Sequence, residues 1–435
     1  MINLICNFRN SQLNKIDMKN FLISGMLLIF ASASVYAGGY RVAAQGQRAL
    51  AMGHAGVGVV NSAEIAFFNP SGMVYLEDKF TVSAGVTGVF SNVKWQNRST
   101  GQFAETQQGA GTPFYLHAAY KVNEWISLGL SVTTPYGSSV EWEPDWAGSH
   151  LVNDINLAAI FIQPLVSIKL SEHFSIGGGP IFVTGNVNFN RNASRTLTDE
   201  QGNRSNITVD DTGVSNTGWS GSFMFTPVKE LRIGFNYRSE ILLNAEGGEA
   251  VFSNFPNSAL TPQNGTTTFN ATLPLPAELT IGFAYEPNEK WLFAFDYQRA
   301  FWDVYNSLDI EFGNPNVPTS INPRNYKNAS IYRFGAQYKA TDNVTLRAGY
   351  YFDESPVQAG FFAPETPRND GNGYTAGLSF QVSEKLAIDA SFLYLRFQEV
   401  DASYDSYLEN GQSVPFSGTY KSNAFLPGLG VTYKL

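Results

Sequence analysis

Only one cysteine occurs in 435 residues, and it is Cys6. A disulfide framework is therefore excluded. Charged residues make up 15% of the chain, and beyond the first forty positions no run of 18 apolar residues occurs. Helical membrane proteins need runs of that length, so a helix bundle in a bilayer is excluded as well. The four histidines, His54, His117, His150 and His173, fall in no metal-ligand or catalytic-triad spacing. A phosphate-cradling glycine loop is also missing. The expectation is a chain that is not an enzyme and has no metal and no cofactor. Basic residues are in deficit, 28 Lys and Arg against 37 Asp and Glu, a net charge of −9, which argues against nucleic acid as a partner.

What the chain has in excess is aromatic residues, at 14%, and 40 glycines, with a mean hydropathy of only −0.14. High aromatic content at neutral hydropathy fits strands whose apolar and polar faces average out. A recurring pattern supports this. Six times a strand-like run ends in a short polar turn and a second run begins, at 119–130, 167–178, 224–235, 284–295, 337–349 and 379–390. Each turn has an acidic residue beside it: Glu124, Glu172, Glu230, Glu289, Asp342 and Glu384. Between these hairpins lie long polar connections at 96–111, 143–154, 191–214, 247–266, 312–326, 354–370 and 401–421. Short turns alternating with long loops mark a transmembrane β-barrel of the bacterial outer membrane. Fourteen strands are expected, near 79–95, 112–121, 125–142, 155–170, 173–190, 215–227, 230–246, 267–286, 289–311, 327–340, 342–353, 371–382, 384–400 and 422–435. An even count brings both ends to the periplasmic side. Phe80, Val82, Ala84 and Val86 alternate with polar or small residues, and Trp291, Phe293, Phe295 and Tyr297 share a face. Trp125, Trp142, Trp146, Trp291 and Trp302 lie near strand ends, as interfacial girdles require.

The first 37 residues read as a signal peptide. Lys19 gives the charged start, Phe21 to Ala31 the apolar core and Val35-Tyr36-Ala37 the cleavage site. Residues 1–17 read as an over-long start upstream of Met18. Cleavage would remove Cys6, three basic residues and one acidic, leaving 25 against 36, or −11. Residues 38–77 are rich in Gly and Ala and lack alternation, so they are expected to form a small N-terminal hatch packed inside the barrel of residues 78–435. A flexible arm is the plainer reading of the same composition.

Four motifs, in order, carry a resemblance. The chain after the cleavage site begins Gly38-Gly39-Tyr40 and leads to Phe68-Asn69-Pro70-Ser71-Gly72-Met73. Then come Thr134-Pro135-Tyr136-Gly137 late in the third strand, and Leu231 to Glu240 in the seventh. The fourth, Tyr350 to Val357, includes Asp353-Glu354-Ser355-Pro356. Together they resemble the FadL family of outer-membrane transporters of long-chain fatty acids and hydrocarbons, end to end along the mature chain. The resemblance implies an N-terminal hatch containing the Asn69-Pro70 turn. It implies that Gly38, Gly39 and Tyr40 reach a lumenal binding site. It also implies lateral release of apolar substrate into the outer-membrane lipid through a kink at Pro135, Tyr136 and Gly137.

Proline cannot donate to a sheet ladder, so Pro135 either kinks the third strand or ends it; the resemblance favours the kink. Pro164 weakens the fourth strand on the same side. Asn69-Pro70 fixes a turn by itself, since Pro locks φ and Asn bonds local backbone. Phe252, Phe255, Phe361 and Phe362 are candidates for an apolar groove among the external loops. A carboxylate ligand needs a buried cation. The ninth strand offers Leu308-Asp309-Ile310 where the family places a lysine, leaving Arg299, Arg333, Arg347 and Arg396 as possible lumenal cations. The expected function is ligand-gated passive uptake of long-chain fatty acids or similar molecules by a monomer. A hydrocarbon channel of the same family and a non-transporting receptor or adhesin barrel stay open as alternatives.

Overall fold

The computed structural model describes residues 40–258, 261–409 and 411–435. The expected signal peptide, Gly38 and Gly39 lie outside the described residues. Fourteen antiparallel strands form one closed sheet. They are β1 (Phe80–Thr87, continued by Phe90–Gln96), β2 (Phe103–Glu105 and Phe114–Lys121), β3 (Ile126–Glu141), β4 (Asp154–Ser171) and β5 (Phe174–Asn192). Next come β6 (Asn206–Val228), β7 (Leu231–Arg238 and Ile241–Ser253), β8 (Gly265–Leu275 and Glu278–Asn288), β9 (Trp291–Ala300) and β10 (Ala329–Lys339). The last four are β11 (Val344–Asp353), β12 (Gly371–Ser383), β13 (Leu386–Phe397 and Val400–Tyr404) and β14 (Phe416–Lys434). Each strand pairs with its neighbours in sequence, and β14 closes on β1 from Thr81↔Lys434 to Thr87↔Gly428.

The burial pattern inverts that of a soluble sheet. Thr81, Ser83, Thr87, His117, Ser127, Ser131 and Ser167 are fully buried, whereas Leu128, Leu130, Ile162, Val166 and Ile168 on neighbouring positions are exposed. Polar residues line the lumen and apolar ones form the outer band, the arrangement a hydrocarbon surround selects. Trp291, Phe293, Phe295 and Tyr297 lie on that outer face and meet cross-strand rings, Phe295 on Phe334 at 4.9 Å and Tyr297 on Tyr332 at 5.3 Å. Such pairs stabilise a sheet by about 0.2–1 kcal/mol each.

Three expectations need correction. β6 starts at Asn206 rather than 215, and β7 runs to Ser253 rather than 246, because the barrel wall continues beyond the apolar band. β9 ends at Ala300. The residues expected to continue it form a turn at Trp302–Val304 and a short strand, Ile310–Phe312, that pairs with the first half of β8. Trp125 and Trp291 are exposed as girdle residues should be, but Trp142, Trp146 and Trp302 are buried. At the outer rim the loops fold inward, and Trp142 stacks on Trp146 at 4.1 Å in a cluster with Trp95 and Phe416.

Residues 40–77 pack against the lumenal faces of the strands. They include two short helices, α1 (Gln47–Ala51) and α2 (Ile65–Phe68), and a tight turn at Pro70–Tyr75. Gln47 bonds Thr87 on β1 at 3.0 Å, and Arg48 pairs with Asp389 on β13 at 3.0 Å. The Gly53 N–H donates to Thr375 on β12 at 2.8 Å and that of Gly56 to Asp296 on β9 at 2.8 Å. Ser167 on β4 and Ser175 on β5 donate to the Ser71 carbonyl at 2.9 and 2.8 Å. Contacts on every side of the ring need a wall without side chains in places. A Cβ on Gly349 would sit 2.2 Å from the Gly53 nitrogen, and one on Gly177 2.6 Å from that of Ser71.

Candidate functional site

The wall is incomplete between β2 and β3. The β2–β3 ladder runs from Lys121↔Ser127 to Tyr115↔Thr133 and stops. It resumes only at the bridge Thr106↔Trp142 and the 2.7 Å bond from Gln107 N–H to the Glu141 carbonyl. Between these points lie Thr134-Pro135-Tyr136-Gly137. On its other side β3 shifts register against β4, since Thr133 faces Phe161 but Tyr136 faces Ala159. Pro135 has no N–H to offer, so the strand bulges there. It does not end there, because pairing with β4 continues to Glu141. Pro164 leaves its own gap, the β4–β5 ladder passing from Ile162↔Phe182 to Val166↔Gly178.

The N-terminal chain occupies the β3 side of the break. Arg41 bridges Tyr136, the Val42 N–H donates to the Pro135 carbonyl at 2.8 Å, and the Gly137 N–H donates to the Tyr40 carbonyl at 2.8 Å. Tyr40 is thereby turned into a cluster of rings, edge-on to Trp302 at 4.9 Å and Tyr305 at 5.7 Å, with its hydroxyl donating to the Pro274 carbonyl.

Tyr40 also lines a narrow apolar cavity of about 60 Å³, walled by residues such as Leu157, Val187, Val214, Leu243, Phe269 and Ile310. The polar side chains on that wall besides the two tyrosines are Ser138, Glu365 and Thr366. Glu365 borders a second, outer cavity of about 720 Å³ among the external loops, lined also by Arg191, Arg324 and Leu197. The partition between the two cavities is thus built around the Arg324–Glu365 ion pair, each side chain 6% exposed. Arg324 also donates to the Tyr404 hydroxyl at 3.0 Å, and Tyr326 shares a 3.0 Å bond with Thr366. Burial opposes the charge on Arg324, but Glu365 and the surrounding tyrosines hold its pKa above the ordinary arginine value. Burial pushes the Tyr326 hydroxyl up to about 12. A third, small cavity of about 40 Å³ is lined mainly by polar residues. Pro135 lines it with Arg41, Arg238, Arg333, Glu278 and Asp296. Arg41 pairs there with Glu278 at 3.3 Å and with Asp353 at 3.7 Å, and Arg238 with Glu278 at 3.2 Å.

Of the residues singled out in the sequence, Tyr40, Pro135, Tyr136 and Gly137 meet at the break in the wall. Asn69 and Pro70 sit apart from it. The Asn69 amide donates to the Val57 carbonyl at 3.0 Å and the Phe223 carbonyl at 3.2 Å, and Pro70 opens the turn that follows. Phe252 and Phe255 are buried in the apolar cluster that includes the cavity wall, and Phe362 is buried near Trp142. Phe361 is half-buried. Phe252 and Phe255 thus lie beneath the loops, whereas Phe362 also lines an open cavity among them. Arg333 and Arg347 face the lumen, Arg299 bonds Ser330 at 2.8 Å and Arg396 points outward. Sequence reasoning missed Arg41, Arg324 and Glu365. Only Arg41, next to Tyr40, carried a signal there.

Comparison with known proteins places this architecture. The family model for outer membrane protein transport proteins (OMPP1/FadL/TodX) matches residues 28–435. The long-chain fatty acid transport protein of Escherichia coli O6:H1 is 22% identical, over 92% of this chain and 95% of that one. Among solved structures, a Pseudomonas aeruginosa FadL homologue superposes with a TM-score of 0.78 at 18% identity, covering 91% of this chain and 99% of its own. The toluene transporter TodX of Pseudomonas putida gives 0.69 at 15% identity, covering 93% and 99%. The chain therefore belongs to the OMPP1/FadL/TodX family of outer-membrane transport proteins, β-barrels that pass hydrophobic compounds.

Proposed function

We propose that the protein takes up long-chain fatty acids, or molecules of similar length and polarity, by passive diffusion. The ligand enters the outer cavity, passes the Arg324–Glu365 partition into the apolar cavity and leaves sideways into outer-membrane lipid beside Pro135. Residues 38–77 act as the hatch, and movement of Gly38, Gly39 and Tyr40 opens the exit. The protein works as a monomer and as a transporter rather than an enzyme. The observation that carries this reading is the adjacency of an apolar cavity lined by Tyr40 to a wall whose ladder is broken where Tyr40–Val42 is bonded.

The carboxylate finds cations from segments other than the ninth strand: Arg324 in the outer cavity, paired with Glu365 on the wall of the apolar one, and Arg41, Arg238 and Arg333 in the polar cavity by Pro135. A neutral hydrocarbon is the second reading, favoured by a wall that is almost wholly aliphatic and aromatic.

Calorimetry on the detergent-folded protein separates the two. A long-chain fatty acid should bind, and the Arg324→Gln/Glu365→Gln double variant should weaken it roughly tenfold or more, since hydrogen bonds to charged groups contribute about 1.5–3 kcal/mol. The double change avoids stranding Glu365 without its partner. The n-alkane of equal length should be unaffected by the variant. Alkane binding with no acid binding would establish the hydrocarbon channel instead.

A further inference from the structure

The outer face of β11–β14 and β1 carries a row of aromatic residues set by register. Tyr350 faces Tyr374, Tyr374 faces Tyr394, Tyr394 faces Phe425 and Phe425 faces Phe90. Neighbouring rings lie 5.5, 6.5 and 5.0 Å apart along the first three steps. Phe90, Tyr374 and Phe425 are each about half exposed, and the row lies toward the long-loop end, where the outer aromatic girdle of a barrel belongs. Above it the chemistry changes within one or two outward positions. Arg396 stands one step above Tyr394, opposite Asn423. Lys421 and Lys94 stand two steps above Phe425 and Phe90, directly opposite each other. All three are exposed.

Two like charges face to face across a ladder destabilise it unless something neutralises them. Outward positions two apart on a strand are roughly 7 Å apart, and facing Cβ atoms about 5 Å, so the three cations fall within one small patch. Among the described residues neither Arg396 nor Lys421 has an ion-pair partner, and Lys94 has only the exposed Glu105 at 3.8 Å. Of the nearby carboxylates, Asp401 is taken by Arg98 at 3.0 Å, and Glu399 lies beyond the end of the first segment of β13. The chain is acidic as a whole, so three clustered cations at one level are not a sample of its average surface.

We propose that Lys94, Arg396 and Lys421 form a binding site for the phosphorylated glycolipid of the outer leaflet. The aromatic row contacts its acyl chains and the three cations hold its phosphates. Charge complementarity and depth in the membrane both select this occupant: the cations sit where phosphate groups meet the hydrocarbon boundary, and a guanidinium and ammonium groups bind phosphate by charge-assisted hydrogen bonds. The site faces away from the lumen and does not depend on which ligand is transported.

The test measures retention of bis-phosphorylated lipid A on the folded, detergent-purified full-length protein by native mass spectrometry. Three arms accompany it: the lipid with its phosphates removed, inorganic pyrophosphate as competitor, and the Lys94→Gln/Arg396→Gln/Lys421→Gln variant. A control variant, Lys290→Gln/Lys385→Gln, removes charge from the short-turn end. The proposal expects roughly tenfold weaker retention in the triple variant, near-native retention in the control, weak binding of the dephosphorylated lipid and little competition by pyrophosphate. Equal retention by triple variant and native protein, or equal binding of the dephosphorylated lipid, overturns it. Displacement by equimolar pyrophosphate would make the patch a soluble-anion site and overturns the lipid assignment.

Discussion

Uptake of a long-chain fatty acid should fall roughly tenfold or more when Pro135 becomes Val and Gly137 becomes Thr, while the barrel still assembles and still binds ligand. The double change restores the missing N–H at position 135 and places β-branched residues, which favour extended pairing, across the bulge. Thr134 to Val140 have no ladder partner on the β2 side at present, and segment 107–113 instead bridges β1 through Val89↔Gly111. Giving β3 a regular edge should draw that segment into the β2–β3 ladder and seal the wall. Both substitutions keep the carbonyl at position 135 and the N–H at position 137, so the inserted segment competes with Tyr40–Val42 for them. A tenfold fall corresponds to about 1.4 kcal/mol on the exit barrier. Heat-shifted mobility reports assembly, and calorimetry reports the cavity. Unchanged uptake in a correctly assembled variant would place the exit elsewhere.

Arg48→Leu should detach the segment around Gln47–Ala51 from the wall. Arg48 donates to Asp389 at 3.0 Å and to the Asn61 carbonyl at 2.9 Å, so it ties α1 to both the following loop and β13. Asp389 is 1% exposed and also accepts from Ser379 and Thr432. Removing one partner of a buried pair leaves the other uncompensated and costs about 3–5 kcal/mol. Hydrogen exchange in Gln47–Ala51 should quicken by orders of magnitude, and small hydrophilic solutes should enter cells that exclude them otherwise. Replacing both partners, as Arg48→Leu/Asp389→Leu, should recover only part of the protection, because the pair's own charges are gone but buried Arg347, linked to Asp389 through Ser379, loses its carboxylate. Exchange as slow in Arg48→Leu as in the native protein would show that other contacts hold the segment.

The barrel was legible in the sequence where lipid imposes a pattern. Short acidic turns and an apolar outer face locate the strands between them, and the sheet closes with fourteen. Legibility failed above the apolar band. From Asn206 to Val214 the apolar residues Ile207, Val209 and Val214 pack inward and the outward positions are polar, the reverse of the lipid-facing pattern that marks strands elsewhere. Trp142, Trp146 and Trp302 misled because an aromatic near a strand end can belong either to the girdle or to an inward-folded loop, and composition does not distinguish these. The break in the wall was readable because proline has a fixed consequence in a ladder. The Arg324–Glu365 partition was not. Its partners are 41 residues apart in two polar loops, and only the closed barrel brings them together.

The central claim is that Tyr40–Val42 must leave the β3 break for ligand to exit, and a disulfide tests it most directly. The bonds flanking Arg41 and Tyr136 make them a non-hydrogen-bonded antiparallel pair, for which Cα atoms lie about 4.5 Å apart, within disulfide reach. Cys6 is the chain's only cysteine and precedes the expected cleavage site, so Arg41→Cys/Tyr136→Cys introduces the pair without competitors. Fatty acid uptake by cells carrying this variant should be low when oxidised and recover on reduction, in the same preparation and with the same side chains lost in both states. Equal uptake before and after reduction, with the disulfide verified by mass, would contradict exit through this break.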